Sequence, residues 1–199
     1  MTDTKRHRNI IRAVRYVCLA VWLAAIVAGV GSFLLDPGSF TAEHIAAFLS
    51  QFHDEIWIVY LIMSALRGFS LLPSTPLVIA GTLLFPSQPF TVLAVCLTGI
   101  AISSSMIYFF SEFLGFHDYF ESHKPELTHK ICSQLDRPAG FVFVGLWSFL
   151  PLVPTDLVCY LAGTTRMNFW KFISAVILGE TILCAFYVYL GGTVVNRWL

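Results

Sequence analysis

The chain has 199 residues, 57% of them hydrophobic and 12% charged, and its twelve Lys and Arg balance twelve Asp and Glu. Soluble domains carry about a quarter charged residues, so half that value, with 18 Phe, 7 Tyr and 5 Trp and a mean hydropathy of +0.75, excludes a water-facing globule. At about 20 residues per spanning helix the apolar blocks leave almost nothing for a soluble catalytic head, and the neutral balance lacks the basic stripe of a nucleic-acid binder.

Lys5, Arg6, Arg8, Arg12 and Arg15 crowd the first fifteen positions against Asp3, and the uncharged run YVCLAVWLAAIVAGVGSFLL follows over residues 16–35. That run exceeds a signal-peptide core, and no small-residue cleavage site precedes polar mature sequence. It reads as a first transmembrane helix behind a basic segment, 1–15, which the positive-inside rule places in the cytoplasm. Residues 36–55 then form an interfacial segment. Ser39 or Thr41 caps a short helix there, with Ile45, Phe48, Leu49 and Phe52 as an apolar stripe lying on the membrane surface.

Residues 56–89 are apolar but interrupted by Arg67, Pro73, Pro76, Pro86 and Pro89, with Gly81 between the proline pairs. Two prolines three residues apart remove two backbone donors and disfavour helical geometry at Leu72 and Thr75. The chain is therefore predicted to break inside the membrane, as a re-entrant hairpin whose irregular backbone is sheltered by protein or a wet cavity. Residues 90–114 are long enough to span. Their small residues Gly99, Ala101, Ser103, Ser104 and Ser105 suit close helix contact, and Glu112 falls near an interface.

Polarity returns over 115–137, where Pro125 opens an interfacial helix with Leu127, Ile131 and Leu135 on one stripe. Residues 138–166 are again apolar and again broken by a proline pair, Pro151 and Pro154, followed by Asp156 and Gly163. A last span covers 169–190, with Glu180 near its middle, and 193–199 form a tail. Cys18, Cys96, Cys132, Cys159 and Cys184 are odd in number and lack CxxC spacing, so they read as small hydrophobes. His117, His123 and His129 recur every six residues, about 600° of helical rotation, and so do not share a face that could hold a metal. No cofactor is expected.

The order apolar stretch, Pro-x-x-Pro, Ala-Gly, spanning helix occurs twice, in residues 56–114 and 141–190. A single span at 90–114 inverts the second block relative to the first. Broken helices in two inverted halves are a sequence pointer to a transporter-type site near the midplane. The predicted fold is thus an all-α integral membrane protein of three full spans and two inverted-repeat re-entrant hairpins, with short interfacial helices.

FLPLVPTDLVCYLAGTTRMNFWKF, residues 149–172, resembles the second hairpin of the DedA family, also called the SNARE-associated Golgi protein or VTT-domain family. LLPSTPLVIAGTLLFP, residues 71–86, is similar to its first hairpin, and YFFSEFLG, residues 108–115, falls where that family has a Tyr-x-x-Gly-Arg-like helix end. The resemblance covers roughly residues 56–192. It implies movement of lipids between leaflets, as a phospholipid scramblase or a lipid-phosphate transporter, either passive or coupled to protons. Two departures stand out: Ser148 occupies the position where the family commonly has Arg, and the first hairpin lacks an acidic pair.

An ionisable group at the bilayer centre costs about 2.5 to 3.5 kcal/mol to insert, which directs attention to Arg67, Asp156, Arg166 and Glu180. Arg67 and Arg166 are candidates for phosphate recognition, with Asp156 and Glu180 neutralising them or carrying protons. Arg166 and Lys171 also fit positive-inside anchors, and Asp156 also fits a helix cap. Pro73, Pro76, Gly81, Pro151, Pro154 and Gly163 are expected to shape the cavity. No Ser/His/Asp or Cys/His constellation has workable spacing, so an enzyme is not expected. The expected partners are membrane lipids and protons, with a homo-oligomer compatible and no nucleic acid. The compact loops and basic N-terminus fit a bacterial inner membrane. A proton-coupled small-solute carrier and a non-transporting organiser of other membrane proteins are the alternative readings.

Overall fold

The computed structural model describes residues 2–70, 74–123, 125–151 and 153–198, with side chains described at all of these except 2–12, 37, 39, 70, 127, 136 and 191–198. The described residues form helices and turns. Ten α-helices run α1 Thr2–Leu35, α2 Ala42–Leu49, α3 Ile56–Leu66, α4 Thr75–Leu84, α5 Pro89–Leu114, α6 Phe116–His123, α7 Pro125–Asp136, α8 Pro138–Phe149, α9 Thr155–Thr164 and α10 Phe169–Trp198. Among the described residues three stretches are long and apolar enough to cross a bilayer: Ala13–Leu35, Pro89–Leu114 and Phe169–Leu190.

The shorter apolar helices fold back in pairs. At about 1.5 Å per residue, α3 and α4 each reach only about half of a hydrocarbon core roughly 30 Å thick. Trp57, at the start of α3, stacks on Phe85, just past the end of α4, with ring centroids 4.0 Å apart, so the two helices lie antiparallel. Between them the Tyr60 hydroxyl donates to the Leu77 carbonyl at 3.0 Å. The α8–α9 pair is built alike: the Trp147 indole donates to the Pro154 carbonyl at 3.3 Å across the break. Pro76 sits in the first turn of α4, where a missing N–H costs nothing, whereas α8 stops at Phe149 ahead of Pro151. Pro73 lies outside the described residues.

The α3–α4 pair opens toward the start of α5, and the α8–α9 pair toward its end. Gly81 of α4 lies against Val92, near the start of α5, and Gly163 of α9 against Tyr108 and Ser111, near its end, so the two pairs meet opposite ends of α5. A core of Tyr60, Ile107, Val144, Val158, Phe172 and Val176 joins the two halves. Close approach depends on absent side chains: a Cβ at Gly99 would collide with Ser64, one at Gly81 with the Tyr60 hydroxyl, and one at Gly163 with Ser111 and the Tyr108 carbonyl.

Several boundaries differ from the sequence reading. Helix α1 begins at Thr2, within the segment read as a separate basic N-terminus, because Lys and Arg are good helix formers and no proline intervenes. Helix α10 continues to Trp198 through the expected tail, since Gly191 and Gly192 weaken a helix without ending it. In the 36–55 segment the helix covers only Ala42–Leu49, capped by Thr41, whose hydroxyl accepts from the His44 amide. Ala42 and Ala46 pack against Ala80 of α4 and the buried Leu49 joins the main core, while Phe48 is 45% exposed. Of the stripe read as lying on the membrane surface, Leu49 and Ile45 pack on the protein core instead. The 115–137 segment is two helices. Of the stripe expected on α7, Leu135 is buried and Ile131 packs on the core, and the Leu127 side chain is outside the described set.

Candidate functional site

Described residues flanking the two breaks, Arg67 before the first and Thr155 and Asp156 after the second, come together in the interior. Arg67, at the end of α3, extends its guanidinium to Asp156 in the first turn of α9, with Nη1 and Oδ2 3.4 Å apart and side chains 9% and 2% exposed. Eighty-nine residues separate the two in sequence. Asp156 profits from the amide end of α9 as well as from the cation. Its neighbour Thr155 donates to Glu180 Oε1 at 2.5 Å, and the Cys184 thiol lies 3.7 Å from the other carboxylate oxygen. Glu180 is fully buried at mid-α10. One chain of contacts thus runs from the first hairpin through the second to the last long helix.

Around this chain the packing is close and partly unsatisfied. A Cβ on Gly68 would run into Ser103 and Asp156 Oδ1, which places a hydroxyl of α5 beside the carboxylate. The hydroxyls of Ser64, Ser103 and Ser148 are buried with no hydrogen-bond partner. Buried polar atoms are normally paired, so three of them bordering an ionic cluster mark an interior made for polar contacts. Ser148 also lies against Gly179, where an added Cβ would be 2.9 Å from the Ser148 Cβ. That packing has no space for an arginine, the residue the resemblance leads one to expect there.

A cavity of about 590 Å³ lies on the α2 side of the cluster and receives residues from both breaks: Arg67, Ser74 and Pro76 from the first, Pro151, Pro154 and Thr155 from the second. Glu43 of α2 and Tyr187 of α10 stand on its wall. The volume is in the range of small-ligand sites. Its lining pairs one cation and several hydroxyls with apolar walls, a mixture able to hold a charged headgroup beside hydrocarbon.

The sequence candidates separate accordingly. Arg67, Asp156 and Glu180 are brought together, while Arg166 lies at the opposite end, by α6. There its Nη2 is 3.2 Å from Asp118 Oδ1 and its Nε 3.9 Å from Glu112 Oε1, and it is about half exposed. Arg166 is also a non-glycine residue at φ 53, closing α9 with its amide on the Gly163 carbonyl and the Met167 amide on the Ala162 carbonyl, a helix-ending arrangement that usually employs glycine. Lys171 donates to the carbonyls of Leu135 and Arg137 at 3.0 and 2.6 Å and so holds the end of α7. His117 places Nδ1 3.1 Å from the Thr164 carbonyl. Gly81 and Gly163 sit at helix crossings, whereas Pro76, Pro151 and Pro154 line the cavity.

Sequence reasoning passed over Ser64, Tyr60 and the contact of Trp22 with Tyr160, whose hydroxyl accepts from the indole at 2.6 Å. The signal for Ser64 was present: a serine four residues before the Gly68 crossing, in an otherwise apolar helix.

No curated protein and no solved structure matches the chain. The family model described as the VTT domain matches residues 72–193, more than half of the chain, taking in α4 through most of α10 and leaving Arg67 and α1 to α3 ahead of it. With three helices able to span a bilayer, the protein is a multi-pass integral membrane protein, and it belongs to the VTT-domain family, that of the DedA and SNARE-associated Golgi proteins.

Proposed function

We propose that this protein moves lipids between the two leaflets of a membrane, with the cavity between the proline breaks receiving the headgroup. The observation that carries the reading is that both proline breaks line one cavity, with Arg67, Ser74 and Thr155 beside apolar walls and with Glu43 of α2 and Tyr187 of α10 completing its polar part. In this reading α3–α4 and α8–α9 are re-entrant, each entering and leaving the bilayer on one side, because irregular backbone at membrane depth persists only where protein or water surrounds it. Arg67 contacts the lipid phosphate as Asp156 releases it, and the acyl chains remain in the bilayer. No bond is made or broken. The basic start of α1 places the N-terminus in the cytoplasm, as in a bacterial inner membrane, with the cavity then facing the other side.

Purified protein in vesicles carrying labelled phospholipids should raise transbilayer exchange above the protein-free rate, and exchange at that rate would sink the lipid reading. The hairpins have their own test. Asp54→Cys and Ser87→Cys, which flank α3–α4, should both label from one side of the membrane. Opposite-side labelling would mean a single kinked span.

Glu180 supports a second reading, a proton-coupled carrier of a small solute. It is fully buried, and its carboxylate contacts are a hydroxyl and a thiol, the setting of a group that gains and loses a proton during a cycle. Glu180→Gln keeps an acceptor for Thr155 but cannot titrate, so it should flatten the pH dependence of transport. An unchanged pH profile counts against proton coupling through this residue.

A further inference from the structure

A second groove, of about 440 Å³, lies where α1 passes the corner between α5 and α6, far from the central cluster. Arg15, Tyr16 and Leu19 form one wall, and Leu114, Phe116 and Phe120 the other. Arg15 stands at the start of the apolar window Ala13–Leu35, the depth at which lipid phosphates lie. Its guanidinium is held in place from two sides: Cζ lies 5.8 Å from the Phe113 ring, and Nη1 covers Gly115, where an added Cβ would be 2.8 Å away. Gly115 itself has φ 76, so that a side chain there is disfavoured twice over.

Although the guanidinium is positioned, its Nε is buried and has no hydrogen-bond partner. Asp118, the carboxylate beside Gly115, is engaged by Arg166. A buried donor of a charged group left unsatisfied is costly, so the guanidinium gains from any acceptor on its open side, where Arg15 borders the groove and no residue of the apolar window of α1 is fully buried. Phosphate is the acceptor that arginine suits best at this depth.

The choice among lipids follows from charge. By spacing, Lys5, Arg8, Arg12 and Arg15 occupy positions on one stripe of α1, the rest of that stripe continuing from Arg15 toward the headgroup layer. Such a stripe repels a headgroup bearing an ammonium and favours one with net negative charge, by about 1 kcal/mol per basic residue near the surface. We propose that this groove is a binding site for an anionic phospholipid, its phosphate on Arg15 and its chains along the faces of α1 and α5. The site is distinct from the central cavity, and its occupancy does not depend on whether lipid is transported.

The test measures binding alone. In phosphatidylcholine bilayers, the full chain should associate with spin-labelled phosphatidylglycerol at least about fivefold more strongly than with spin-labelled phosphatidylcholine, and Arg15→Gln should lower that preference about fivefold. Lys130→Gln, an exposed lysine on α7, should leave it intact, and Arg15→Lys should keep part of it. Equal preference in wild type and Arg15→Gln overturns the proposal, as does equal loss on Lys130→Gln. Should Arg15→Gln fail to fold, the wild type still decides. A photoactivatable phosphatidylglycerol should label peptides containing Tyr16 and Phe116 to Phe120, and labelling spread evenly over the three spans refutes the site.

Discussion

Asp156→Asn should cost about 3 kcal/mol of stability, the lower end of what breaking a buried ion pair entails, and should abolish transport. The reason is geometric. Asp156 is 2% and Arg67 9% exposed, so loss of the carboxylate leaves a largely buried cation whose open side is the cavity. The double variant Arg67→Met/Asp156→Leu removes both charges together and should recover most of the stability, as replacing a buried pair by hydrophobic residues often does. It should not recover transport, since an apolar cavity offers no contact for a headgroup. Thermal unfolding of the single and double variants gives the coupling between the two sites, and vesicle exchange gives the activity. A double variant that transports at the wild-type rate would reduce the pair to a structural tie, and single variants as stable as wild type would mean that it is not formed.

That experiment matters because the pairing lies beyond what a linear sequence encodes. The three long helices were legible as long apolar runs, the last of them interrupted by Lys171 and Glu180, and the break between α8 and α9 was legible from Pro151 and Pro154. Which way each helix faces was far less so. In water an amphipathic stripe tells the inside from the outside, but lipid is as apolar as a protein core, so hydropathy carries no such information in a bilayer. The packing of α2 was missed for that reason: its apolar stripe was read as lying on the membrane surface, and the contact that Ala42 and Ala46 make with α4 was overlooked. On α5 the small residues restored the missing signal, and Gly99, Ser103 and Ser104 do mark its buried side.

Among the charged candidates, the cost of burying charge in a bilayer singled out four, and the fold unites three. Arg67, Asp156 and Glu180 come from α3, α9 and α10, elements that meet only because the two hairpins oppose each other across α5. Arg166 follows Asp156 by ten residues, roughly the length of α9, and the helix carries it about 15 Å away. Its surroundings, Glu112 and Asp118, are readable only once α6 is seen to turn back over the end of α9. The same limit hid the bond between Trp22 and Tyr160: a tryptophan in an apolar run has no sequence mark that separates a membrane-facing ring from one that holds a neighbouring helix.

Gly163→Leu should be among the most damaging single substitutions. A Cβ at this position meets Ser111 Oγ and the Tyr108 carbonyl, and a backbone atom cannot swing aside as a side-chain end can. On the other flank the Tyr108 hydroxyl donates to the Met167 carbonyl at 2.6 Å, so the end of α9 is held to α5 at both points by one residue. Overpacking of this kind costs about 1 to 3 kcal/mol even for small additions, a range that Gly163→Ala should show; Gly163→Leu should exceed it. The displacement would also reach the cluster, because α9 is a rigid rod with Thr155 and Asp156 at its other end. Gly31→Ala is the contrast: nothing lies within 4 Å of its added Cβ, so the substitution should be neutral or raise helix stability by up to about 1 kcal/mol. Thermal unfolding of Gly163→Ala beside Gly31→Ala separates crossing contact from helix propensity. Matching shifts in the two variants would mean that the α5–α9 crossing is looser than these distances imply, and Asp156 would then have to be held in place by Arg67 alone.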